Sequence, residues 1–396
     1  MRNAAILGYG AVPVGTYQRT KDGSDPPLEH ELAAKVVLEA VRMAGLSKCD
    51  LDGVVVAHPG DHTRQGYFHT FLTAYLGLTS NSTVVQVLGN GMTAGLAFDE
   101  GLRLVRGGET DCVVVIAAHF ETGTPTADHL DFSIRLTGDV DFQSVFGAVP
   151  ISWYAMVAQR YMHDFGVTRA EIAEVAVKNR RQAALNPLAQ FRKPITLDEV
   201  LAQRMIVEPL GLFEVPARAD GAVALVIVSE DMARASGRPH VVVRSRGYHH
   251  EGWHQLADRP VDMTVYPSIR IATKAALQRA ALTLDDIALF QIYAPCTITE
   301  VVATESMGLF PRGKGWCAAA DGRSAFDGTR PVNTSGGLLS RGHPPEATPL
   351  YDVVEACVQV LGQAGARQVK NARLAMTVSE LGNYNAAIAH ILEGRP

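Results

Sequence analysis

Two stretches of this chain, Gly45–Pro59 and Ala281–Pro295, follow the same local pattern at a constant offset of 236 residues. The first reads Gly-Leu-Ser-Lys-Cys-Asp-Leu-Asp-Gly-Val-Val-Val-Ala-His-Pro, and the second Ala-Leu-Thr-Leu-Asp-Asp-Ile-Ala-Leu-Phe-Gln-Ile-Tyr-Ala-Pro. Each presents a helix end, a Ser or Thr turn, an Asp followed by an aliphatic residue, a strand and then a proline. A second pair, Glu100–Val115 and Glu355–Met376, repeats the order helix, glycine, strand. A duplicated α/β unit satisfies both correspondences. The aliphatic runs Ala4–Leu7, Val54–Ala57, Cys112–Ala118, Ala222–Val228 and Val241–Val243 supply strands buried on both faces. We place the first half at residues 1–240, with an insertion at about 120–212, and the second half at 241–396. Within the insertion, Trp153–Leu212 is richer in charge and carries a helical stretch, Arg169–Ala184, as expected of a lid, a substrate arm or a solvated excursion.

Composition excludes several classes. With 396 residues, 47% hydrophobic and 19% charged, the chain can bury a large core, and a net charge of −5 gives no global reason to expect nucleic acid. No apolar run approaches the ~18 residues of a membrane span, and Ala4–Val14 lacks a leader cleavage pattern. The expectation is a cytoplasmic protein that meets neither membrane nor nucleic acid. Cys49, Cys112, Cys296, Cys317 and Cys357 are scattered and odd in number, so no disulfide framework or zinc site is indicated. Gly8-Tyr9-Gly10 opens like a dinucleotide fingerprint, but Pro13 stands at the third glycine and no helical pattern follows. His58, His62 and His69 with Asp61 lack the spacing of a metal pair, and no metal is expected. His249, His250 and His254 with Trp253 have no evident partner, and Arg192, Lys193 and Arg204 read as solvated charge or as contacts for phosphate.

The segment Val332–Thr348, Val-Asn-Thr-Ser-Gly-Gly-Leu-Leu-Ser-Arg-Gly-His-Pro-Pro-Glu-Ala-Thr, carries the sharpest chemistry. It presents one imidazole, His343, at a rigid turn between Gly342 and Pro344, ahead of a helical run. Such a group serves acid/base catalysis or donation to a developing oxyanion, or simply caps the helix.

Three stretches together resemble the thiolases, and within them the sterol-carrier-protein branch. They are Asn333–Thr348, Val177–Leu210 (with Lys178-Asn179-Arg180, Asn186-Pro187 and Lys193-Pro194-Ile195-Thr196) and Ile292–Glu300. The resemblance implies an α/β fold of the thiolase type: a duplicated five-layer αβαβα architecture with an inserted loop domain, usually a homodimer. It also implies a CoA thioester as substrate, no cofactor, and Asn333, Gly336 and Gly337 at the substrate. The family's reactive residues are only partly present. The nucleophilic cysteine, expected at a helix start where the dipole favours a thiolate, aligns with Gly91, or with Gly89 if the register slips by two. The second cysteine is replaced in the Thr377–Gly382 region, leaving Ser379 or Glu380 as the nearest acid/base or site-lining groups. At the strand end, Tyr293 stands for the family's His or Asn, followed by Ala294 and Cys296. His343 is retained, but the small turn after it now contains Glu346.

Three functions remain open on these residues. The first is a carbon–carbon lyase performing retro-aldol cleavage of a β-hydroxyacyl-CoA. It needs a base and an enolate donor but no acyl-enzyme, roles that Tyr293 and His343 can fill in either order. Thiolase-related aldolases resemble this chain in having a tyrosine at that strand end, and they work with an OB-fold/zinc-ribbon partner protein. The second is acyl transfer or thiolysis with Cys296 as a relocated nucleophile near His343. The third is a catalytically silent subunit that binds acyl-CoA.

Overall fold

The computed structural model describes residues 2–17, 25–59, 65–78, 83–252 and 261–396. The strands are β1 (Ala4–Ala11), β2 (Gly53–Ala57), β3 (Thr83–Val87), β4 (Cys112–His119), the short ribbon β5 (Met205–Val207) and β6 (Leu210–Gly211), β7 (Gly221–Ser229), β8 (His240–His250), β9 (Leu289–Ile292), β10 (Leu374–Glu380) and β11 (Ala386–Arg395). All except β5 and β6 join one mixed sheet in the order β3-β2-β4-β7-β1-β8-β11-β10-β9. Outward from its middle, the first half runs β1, β7, β4, β2, β3. The second runs β8, β11, β10, β9 and ends on Val332, which bridges Phe290 in parallel. In both halves the inner pairings are antiparallel and the outer ones parallel. Within the sheet, the described strands of the two halves pair through Ala5 opposite Val242 and Ile6 opposite Val241.

The duplication read from the sequence reappears atom for atom. Gly45 and Ala281 both close a helix in the left-handed conformation, at φ 69° and 54°. The Asp50 carboxylate then accepts from Ser47 N and Oγ at 2.7 and 2.8 Å. Asp286 accepts from Thr283 N and Oγ1 at the same two distances.

Strand alternation builds the layers, since successive side chains point to opposite faces. On β2, Val54 and Val56 meet the outer helix Glu29–Ala44, whereas Val55 and Ala57 face a central layer. That layer holds the helices Thr93–Gly107 and Thr348–Val360, with Phe98, Leu102, Leu350 and Val354 buried between the two half-sheets. On the other side, Leu289, Ala375 and Leu392 face the centre, while Phe290, Met376 and Ile391 face a second outer core. The result is helix, sheet, helix, sheet, helix: the duplicated five-layer αβαβα architecture expected from the resemblance.

The second outer core corrects the reading of the charge-rich stretch as a solvated excursion. Its helices Pro150–Phe165 and Arg169–Ala183 contribute Tyr154, Val157, Tyr161, Ile172 and Val175 to the same apolar cluster as Phe290 and Ile292. Lys178, a charge that suggested exposure, is buried and pairs with Glu300 of the Thr297–Met307 helix. Gly8 and Gly10 also have a packing role. A Cβ at either would stand 2.1 or 2.3 Å from the carbonyl oxygens of Ala40 and Val36 in the first helix, so the motif lets helix and strand approach closely. Among the described residues, no helix is long and apolar enough to cross a membrane.

Candidate active site

Three chain ends converge at the inner side of the second half-sheet. Gly91 lies in the turn Asn90–Met92, just before the central helix Thr93–Gly107, and its N–H donates to Leu381 O at 3.2 Å. Tyr293 follows β9, and its N–H donates to Val378 O of β10 at 2.9 Å. His343 follows the short helix Gly337–Ser340. The Tyr293 hydroxyl lies 3.2 Å from His343 Nε2, with the rings edge to face at 5.2 Å.

The tautomer of His343 follows from its other nitrogen. Thr348 Oγ1 donates its proton to Pro344 O at 2.9 Å, so at 3.1 Å from His343 Nδ1 it acts as acceptor. The proton therefore sits on Nδ1, and Nε2 presents a lone pair to the Tyr293 hydroxyl. Burial holds the imidazole well below its usual pKa, with the nearby His119 and Arg341 acting in the same direction. Burial also pushes the Tyr293 phenol well above its usual range, and the buried Glu380 adds to this. Both groups are thus neutral at physiological pH, with tyrosine donating and histidine accepting.

The space beside Gly91 is filled. A Cβ built at Gly91 would lie 2.7 Å from both Cζ and Oη of Tyr293, and 3.0 Å from the Glu380 carbonyl oxygen. A Cβ at Gly89 would instead strike Leu96 at 2.6 Å, so Gly91 is the position that faces the tyrosine. A side chain at position 91 and the Tyr293 ring would occupy one space.

Strand alternation separates Ser379 from Glu380. Ser379 points into the central layer, where its Oγ would be 2.9 Å from a Cβ at Gly95. Glu380 is fully buried on the other face, and its Oε2 accepts from Gly382 N at 2.6 Å and Tyr384 N at 3.2 Å. Burial pushes this carboxyl up to about 8, despite the two backbone donors that lower it. The folded protein therefore holds this proton to higher pH than the unfolded chain, whose value is near 4.5. The sign follows: wild type loses stability relative to Glu380→Gln as pH rises from about 4.5 to about 8, by on the order of a few kcal/mol, and the difference levels off above that. Urea denaturation of both proteins at several pH values checks this, a pH-independent difference being the contrary result.

The other candidates make their contacts with groups other than the Tyr293–His343 pair. Cys296 is fully buried in the second outer core, and burial pushes its thiol well above the usual range, the reverse of what a nucleophile needs. Asn333 uses its side chain internally, donating to Glu300 Oε2 at 2.8 Å and accepting from Ile292 N at 2.8 Å. Gly336 and Gly337 stand against Ala183 and Asn179 of the insertion, at φ 99° and 58°. These three residues hold the strand end and the turn in place. Glu346 is buried and turns its carboxylate to His119 at the end of β4.

His119, with Glu121 beside it, was missed because one His at a strand end has no periodic or motif signal. His58 is buried, stacked on Phe68 at 4.0 Å and 3.3 Å from Glu29, while His69 pairs with Gln86. His249 pairs with Glu251. Asp61, His62, Trp253 and His254 lie outside the described residues. Arg192, Lys193 and Arg204 are exposed.

Comparison with known proteins places the chain. Residues 13–231 match the model of the thiolase N-terminal domain, and residues 250–394 that of the thiolase C-terminal domain-like family. The chain belongs to the thiolase family. It is 32% identical to an acetyl-CoA acetyltransferase of Methanothermobacter thermautotrophicus, over 99% of each chain. It is 30% identical to the benzoylsuccinyl-CoA thiolase subunit BbsB of Thauera aromatica, over 95% of this chain and 94% of that one. Among solved structures it is similar to the Ltp2-ChsH2(DUF35) aldolase, with a TM-score of 0.83, 26% identity, and 99% of this chain and 97% of the other covered. This thiolase-family chain is accordingly an acyl-CoA enzyme, of a superfamily whose members are acyltransferases or aldolases.

Proposed function

We propose that this thiolase-family protein cleaves a carbon–carbon bond of a β-hydroxyacyl-CoA by a retro-aldol reaction, without an acyl-enzyme. The observation that carries the reading is the Tyr293 hydroxyl standing where a residue-91 side chain would be, hydrogen-bonded to an unprotonated His343 Nε2. In the proposed step the substrate β-hydroxyl gives its proton to the Tyr293 oxygen as the tyrosine proton passes to Nε2. The β-carbon becomes a carbonyl, the bond between Cα and Cβ breaks, and its electrons form the thioester enolate. Protonation of the enolate at Cα gives the shortened acyl-CoA. Concerted transfer suits this pair, because a free phenolate is disfavoured by burial.

The similarity to the Ltp2-ChsH2(DUF35) aldolase supports the reading, and the BbsB name describes a subunit. We therefore include an OB-fold/zinc-ribbon partner in the proposal, along with a homodimeric core and a cytoplasmic setting. The test incubates the purified protein, alone and with a co-encoded zinc-ribbon protein, with a panel of β-hydroxyacyl-CoA substrates. The expected products are a ketone or aldehyde and an acyl-CoA in equal amounts. Acyl-CoA binding without product in either arm would leave a silent subunit, whereas cleavage of a β-ketoacyl-CoA that requires free CoA would restore the thiolytic reading.

A further inference from the structure

A second set of acid/base groups lies beside the Tyr293–His343 pair, and the cleavage step leaves it unused. His119 ends β4 and is buried between two carboxylates. Its Nδ1 contacts Glu346 Oε2, and its Nε2 lies 3.2 Å from Glu121 Oε2. The same Glu121 oxygen lies 3.3 Å from Nδ1 of His129, on the helix Thr126–Thr137. Glu346 and Glu121 are 1% and 2% exposed, whereas the His129 side chain is 16% exposed. Carboxylate, imidazole, carboxylate and imidazole thus alternate without a gap from the site to the surface.

The inner end of this chain is fixed next to the reacting groups. The Glu346 backbone carbonyl accepts from Ala94 N at 3.1 Å, at the start of the helix that follows Gly91. Glu346 lies three residues after His343 in the same turn. Glu121 is held by Ala219 N at 3.2 Å, and the neighbouring Arg218 bridges the His343 backbone. The network is also felt electrostatically: His119 and His129 act on His343, and Glu121 acts on Tyr293. Burial pushes the His119 imidazole down to about 3, so it is neutral at physiological pH. The two buried carboxylates around it are costly to keep fully ionised, so the set favours holding on a carboxylate a proton that can be passed on.

We propose that the His119–Glu346 pair delivers the proton that quenches the enolate at Cα, and that Glu121 and His129 replace it from solvent. The inference rests on the retro-aldol reading and assigns it a second proton path. In the step, the new Cα–H bond forms as the shared proton leaves the His119–Glu346 pair. A solvent proton enters at His129 and passes through Glu121 to His119. The proton taken from the β-hydroxyl leaves from His343 once product departs, so no net proton is gained or lost.

The test begins with His129→Ala, at the partly exposed end where folding is least at risk. Its kcat is expected to fall ~10-fold or more and to rise with added imidazole buffer, while wild-type kcat stays independent of that buffer. A structural role for His129 would give no such buffer dependence. The second measurement follows solvent deuterium entering Cα of the product acyl-CoA in D2O, with no carbonyl co-product present. Glu346→Gln is expected to slow this exchange ~100-fold. Wild-type cleavage together with a buffer-independent His129→Ala and unchanged exchange in Glu346→Gln would overturn the relay alone. Absence of cleavage by wild type would overturn the parent reading instead.

Discussion

Tyr293→Phe is expected to lower kcat for β-hydroxyacyl-CoA cleavage by ~10²–10⁴-fold, the range for loss of a positioned acid/base group, with little change in KM. The substitution removes one oxygen and leaves the ring that fills the space beside Gly91. It should therefore cost little stability, although His343 Nε2 loses its donor at 3.2 Å. Steady-state kinetics with the ketone or aldehyde product as readout, alongside thermal unfolding, separate the two effects. If kcat survives within a few-fold in a folded protein, tyrosine is not the proton carrier and His343 acts on the substrate directly.

Gly91→Cys should fail to restore a thiolase and should remove the cleavage activity as well. Its Cβ would be forced to 2.7 Å from the Tyr293 ring carbon and hydroxyl, and to 3.0 Å from a backbone carbonyl held in β10. Strand backbone yields less readily than a side chain, so the tyrosine must move off His343, or the site must open. Overpacking of this kind costs ~1–3 kcal/mol. Adding Tyr293→Ala to Gly91→Cys should recover part of that loss, giving a coupling between the positions of ~0.5–3 kcal/mol in a double-mutant cycle. Urea denaturation of the four proteins provides the check; strictly additive effects would show that the two side chains do not share one space.

Tyr293 and His343 were legible as residues, since each closes a recognisable element: Tyr293 the strand in the repeated pattern, His343 the glycine-rich turn. Their chemical states were not legible. The Nδ1–H tautomer depends on Thr348 spending its own proton on Pro344 O, and the neutrality of both groups depends on burial. The packing partners of Asn333, Gly336 and Gly337 were not legible either. Their neighbours come from the insertion and the Thr297–Met307 helix, far away in sequence. The insertion was misread for a related reason: a charge-rich helix looks solvated until a buried partner such as Glu300 appears for Lys178.

The sequence by itself determined the duplicated α/β architecture, because the turns that define each repeat close hydrogen bonds within three residues, as Ser47 with Asp50 and Thr283 with Asp286 do. Their geometry needs nothing from the rest of the chain. It also determined that a thiolate could not act at position 91, since glycine has no side chain to offer. Only the tertiary structure decided what fills the space beside that glycine. The Tyr293 hydroxyl reaches the space beside Gly91, and Glu346 finds His119, only when two half-sheets bring chain ends together across the central layer. Contacts of that kind depend on strand order and layer spacing, which no local pattern of residues encodes.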